Sequence, residues 1–137
     1  MRESLLRAFL HHLDPDERIV ILRSSEDPGL RRMFALYGAL GSTYLDPNGK
    51  IYVQIDDARE ANKAIWLEEL AHARQCMLDG SPEASSDMAQ ICDREIEVHQ
   101  CLLANASRLK LTPNDIAACE AQLQYYTEMK NDKRRRR

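Results

Sequence analysis

The sequence has no apolar run approaching the length of a membrane span, and Met1 to Arg7 lacks the unbroken apolar core of a secretion signal. Export would need another route, such as fusion behind a carrier protein. None of the four cysteines, at 76, 92, 101 and 119, stands in a CxxC pair, which speaks against a thiolate zinc knuckle or a thioredoxin-like redox motif. The Asn48-Gly49 loop lacks the several glycines that cradle a phosphate, no serine or cysteine sits on a nucleophile elbow, and there is no internal repeat. A distributed basic face is missing too. The net charge is −3, but Lys133 to Arg137 hold five positive charges, which leaves −8 on the rest. Such an acidic body is a poor partner for nucleic-acid phosphates.

What is present suits one compact domain over residues 1–130 with a basic disordered tail at 131–137: 44% of the residues are hydrophobic and 30% charged, ordinary for a globular protein. The element pattern predicts an α+β fold with a small three-stranded antiparallel or mixed sheet, a helical hairpin and a C-terminal helix. Glu3 to Leu13 reads as an amphipathic helix, with His11 and His12 placed to favour its negative pole. Arg18 to Arg23 is a strand whose unbroken apolar run suggests burial on both sides. Asp27-Pro28 opens a helix over 29–40 that buries Leu30, Met33, Phe34 and Tyr37. Ser42 to Leu45 and Lys50 to Ile55 flank Asp46-Pro47-Asn48-Gly49, the turn of a hairpin. Glu60 to Met77 is the next helix, capped by Asp56 or Asp57. Thr112-Pro113-Asn114-Asp115 opens the last helix, with Ile116, Cys119, Leu123 and Tyr126 facing inward to about Met129.

Two of these helices carry polar groups where apolar ones belong. In the first, Ala61, Ile65 and Cys76 share a stripe with Glu68 and His72, which are four residues apart and can reach one ion. In the second, Met88, Ile91, Cys92, Val98, Leu102 and Leu103 surround Glu95 and His99, while Asp93, Arg94 and Glu97 lie on the polar side. A carboxylate or an imidazole is costly to bury without a partner, and a divalent metal would be one. If the chain turns back near Gly80-Ser81-Pro82, Glu68 and Glu95 lie at one level. His99 then stands roughly 5 to 6 Å further along the axis, and Glu95 becomes the third ligand.

A hairpin strand, a helix with Glu68-Glu69-x-x-His72 and a later helix with a carboxylate resemble the zincin metallopeptidases over Ser42 to Leu103. Those enzymes carry His-Glu-x-x-His on the active-site helix, and their edge strand pairs with an extended substrate. The resemblance implies Glu68, His72 and Glu95 as metal ligands and Glu69 as general base. The chain departs from the pattern at position 68, where glutamate stands for histidine. The set is therefore harder and more negative, so that zinc is expected but manganese or iron is better accepted. His99 or Tyr52 would donate to the oxyanion, or His99 would orient Glu95. Cys76, one turn beyond His72, is a candidate fourth ligand that would close the site.

The segment Glu68 to Gln75 also resembles small domains at the ends of bacterial polymorphic toxins and secretion-system effectors. That likeness implies a protein substrate, an immunity protein or carrier polypeptide as partner, and delivery without a signal of the chain's own, or else residence in the cytoplasm. An inactive zincin-like interaction or inhibitor protein is the alternative. A carboxylate-bridged metal protein ranks last, because it needs two ExxH motifs and only Glu69-x-x-His72 occurs on this helix pair.

Overall fold

The computed structural model describes residues 10–12, 14, 16–57, 63–79 and 87–135. Most of the predicted first helix, residues 60–62 of the next one and the Gly80 to Ser86 turn lie outside these. The fold is α+β, and its contacts divide it into two compact units, Met1–Glu83 and Ala84–Arg137.

The first unit contains β1 (Ile19–Arg23), α1 (Pro28–Tyr37), β2 (Gly41–Leu45), β3 (Ile51–Ile55) and α2 (Lys63–Asp79). Its strand order is β1-β3-β2, with β1 parallel and β2 antiparallel to β3, so the sheet is mixed. The hairpin register is set locally. The Asp46 carboxylate accepts from the amides of Asn48 and Lys50, both at 2.9 Å, and Gly49 takes the positive φ of +87° that a side chain disfavours. Thr43 therefore faces Val53, and Tyr44 faces Tyr52.

Alternation puts Gly41, Thr43, Leu45, Ile51, Val53 and Ile55 on one face of the sheet. Against that face α2 lays Trp66, Leu70, Ala73 and Cys76, and these residues with Ile51, Val53 and Ile55 form the buried core. Each large apolar side chain buried there contributes about 1.5–3 kcal/mol. Arg23 covers the Trp66 ring at 5.2 Å. Cys76 is thus a core residue, packed with the β3 side chains.

Three expectations need correction in this unit. β1 is only half-buried along its whole length, because among the described residues it pairs with β3 alone and lies at the edge of the sheet. Helix α1 starts as predicted, with Asp27 capping the amides of Gly29 and Leu30. It ends at Gly38, in the left-handed region at φ 71°, instead of reaching Leu40. Tyr37, in the last turn, is left 75% exposed, while Leu30 and Phe34 are buried. The expected cap of the next helix by Asp56 or Asp57 falls at residues outside those described. Asp56 accepts from the Ser24 hydroxyl at 2.7 Å, and Asp57 accepts from the Ser25 amide and hydroxyl, both at 2.8 Å, so the pair joins the ends of β1 and β3.

In the second unit, α3 (Met88–Ala104) is capped by Asp87 and buries Cys92, Val98, His99 and Leu102. Helix α4 (Pro113–Arg135) opens on a reciprocal capping box: the Thr112 amide donates to Asp115 at 3.0 Å and the Asp115 amide to the Thr112 hydroxyl at 3.1 Å. Asp93 pairs with Lys130 and His99 stacks near Tyr126, so the two helices run antiparallel. Cys119 is buried, and Ile116, Leu123 and Tyr126 are half-buried, facing inward as predicted. Helix α4 runs past its expected end near Met129 and through Arg135, where basic residues suit the negative pole of the helix. The four cysteines form no disulfide; Cys76, Cys92 and Cys119 are buried and Cys101 is exposed.

Candidate metal centre

Among the described residues, Glu68, His72 and Glu95 each offer a ligand atom, and the three atoms lie within 4.8 Å of one another. Sequence spacing pointed to the same three. His72 is buried, while Glu68 and Glu95 are partly accessible. Ligand atoms of a tetrahedral zinc site stand about 3.4 Å apart when each is about 2.1 Å from the ion. A Glu-His-Glu group of this kind could hold a metal ion.

The surroundings fit that use. The Nδ1 of His72 lies 3.0 Å from Gln75 Oε1, and with both residues buried the ring donates its Nδ1 proton to the amide oxygen. That tautomer puts the ring's lone pair on Nε2, the state in which a histidine binds a metal. Glu95 is tied to His99 in turn. The His99 Nδ1 donates to the Glu95 carbonyl oxygen at 2.7 Å and stands 3.8 Å from its carboxylate. His99 is 1% exposed and packs near Tyr126, with ring centroids 6.4 Å apart. The Nδ1 proton of His99 is thus spent on the backbone of Glu95, and the carboxylate stands beyond hydrogen-bond range of it.

Glu69, the expected general base, is buried against the edge strand. Its Oε2 accepts the Thr43 hydroxyl at 2.7 Å, and the same hydroxyl lies 3.1 Å from the Glu69 carbonyl oxygen. Beside it a Cβ on Gly41 would stand 2.7 Å from Glu69 Cγ and 3.0 Å from Cδ, so a side chain there would push the glutamate out of its present place. Tyr52 is excluded as an oxyanion donor from the α2 side. It stacks on Tyr44 at 5.0 Å on the opposite face of the sheet, as strand alternation requires.

Cys76 is not among the grouped donors, and its place in the β3 core removes the fourth-ligand role. The edge strand beside Glu69 is β2; β3, which leads to α2, is paired on both sides.

No protein family, curated protein or solved structure matches this chain.

Sequence reasoning did not assign roles to Gly41, Thr43 or Gln75. A signal existed for each: Gln75 lies three residues from His72 on one helix face, and Thr43 is a polar residue on the apolar face that the Asp46–Gly49 turn fixes opposite Val53.

Proposed function

We propose that the chain is a metal-dependent peptidase of zincin-like type that acts on a protein substrate. The observation that carries this reading is the convergence of Glu68, His72 and Glu95, with glutamate following directly on the first ligand. Zinc is the expected ion; the two carboxylates also suit manganese or iron. A bound divalent cation would supply Lewis acidity toward a scissile carbonyl and a water molecule.

The chain's own residues supply the rest. His72 is held by Gln75 in the tautomer that ligates, and His99 stands 3.8 Å from the Glu95 carboxylate, where a positive charge on the ring would attract it. Glu69, next to the ligand Glu68 and anchored through Oε2, takes the proton of the attacking water and passes it to the leaving amine. Burial of Glu69 and His72 keeps bulk water from competing for that proton. The parallel with effector domains supports a protein of a target cell as substrate, and an immunity protein or carrier polypeptide as partner.

The test is a substitution pair assayed on a protein or peptide library. Glu69→Gln should keep fold and metal and lose about 10²- to 10⁴-fold in rate, while His72→Ala should lose metal and cleavage together. Cleavage by Glu69→Gln at the wild-type rate would end the general-base assignment.

A further inference from the structure

We infer that Thr43 and Gly41 are positioning residues for Glu69, so that strand β2 sets where the proton-shuttling carboxylate stands. This rests on the peptidase reading and adds residues to it. The geometry has two independent parts. A hydroxyl donates to one named oxygen, Oε2, at 2.7 Å, the ordinary length of a well-made O–H···O bond. On the other side, the Cγ, Cδ and Oε1 of Glu69 rest where a Gly41 side chain would be, at 2.7, 3.0 and 3.1 Å from an added Cβ. A glutamate carries three rotatable bonds. Fixing it between a donor and a backbone wall selects one placement.

Both contacts come from residues two apart in β2, on the same face of the strand. Each has a plainer explanation when taken alone. A buried threonine hydroxyl needs an acceptor, and a glycine at a strand start is common. What joins them is that they close on the same carboxylate, and that Gly41 does not carry a positive φ, so close approach is the reason that position needs glycine. A proton transfer that falls off steeply with distance is the step such a clamp would serve. Displacing a reacting group by about 1 Å can cost about 100-fold in rate.

The experiment compares wild type with Thr43→Val, Thr43→Ser and Gly41→Ala in the whole chain. Three readouts are taken: zinc bound per chain, kcat and KM on a peptide cleaved by wild type, and the side-chain carboxyl ¹³C resonance of Glu69 in the metal-free protein, identified by its loss in Glu69→Gln. Thr43→Val and Gly41→Ala should each move that resonance and lower kcat at least tenfold, with KM and zinc content unchanged. Thr43→Ser, which keeps the donor, should restore both.

An unmoved resonance in Thr43→Val and Gly41→Ala would overturn the inference, as would a moved resonance with wild-type kcat. A wild type that binds zinc but cleaves nothing would instead overturn the peptidase reading, and the positioning role with it. An active wild type with indifferent variants removes the positioning role alone. Should Gly41→Ala fail to fold, Thr43→Val and its serine counterpart carry the same decision.

Discussion

At His72, one hydrogen bond separates a metal ligand from an ordinary core histidine. A buried imidazole can satisfy itself through either nitrogen, and the bond to Gln75 commits Nδ1, so that Nε2 is the basic atom. Replacing Gln75 with leucine leaves the ring in place but frees its tautomer, and removal of such a partner typically weakens metal binding 10- to 100-fold. Competition with a chelating dye should show that loss for Gln75→Leu, with the far-ultraviolet spectrum unchanged.

Asp57 offers a second residue-scale test, away from the metal group. Burial works against its charge most strongly. Against that, the Ser25 amide and hydroxyl, the Ser24 hydroxyl and the Arg23 charge prevail and hold the carboxyl below its ordinary range. A depressed folded-state value means stability that is present above the unfolded value and is lost as pH falls through the folded one. Wild type should therefore be more stable than Asp57→Asn at pH 6. That difference should close as pH drops below about 4, the ordinary carboxylate range, and urea unfolding at the two pH values checks it.

Among the elements, those fixed by local chemistry could be read from the sequence. The Asp46 to Gly49 turn, the Asp27 cap and the Thr112–Asp115 box each rest on side chains bonding backbone within four residues, and all three are present. Thr112→Ala removes one half of that box and should lower the stability of the α3–α4 unit by about 1 kcal/mol, read from its denaturant midpoint.

The elements misread were those decided by distant partners. Whether β1 is central or at an edge depends on which strand pairs beside it, and an apolar run looks the same in both places. The bonds of Asp56 and Asp57 to Ser24 and Ser25 were likewise beyond local reading, since the partners lie 32 positions apart. The candidate ligands themselves were legible because four-residue spacing is a local property of one helix. Thr43 and Gly41 were not assigned because their partner lies 26 and 28 positions along the chain.

At the scale of the whole molecule, no helix among the described residues is long and apolar enough to cross a membrane. A divalent cation that binds only the folded chain would stabilise it by mass action, by about 2.7 kcal/mol at a hundredfold excess over Kd. Wild type should then melt at a higher temperature in zinc than after chelation, whereas His72→Ala should melt at one temperature in both.

The most direct measurement is elemental analysis of the purified chain beside Glu68→Ala, His72→Ala and Glu95→Ala, after dialysis against limiting zinc. One equivalent of zinc on wild type, lost or sharply reduced in all three variants, is the result expected of a shared site. Wild type that retains no divalent metal, or variants that hold it as well as wild type does, would contradict it.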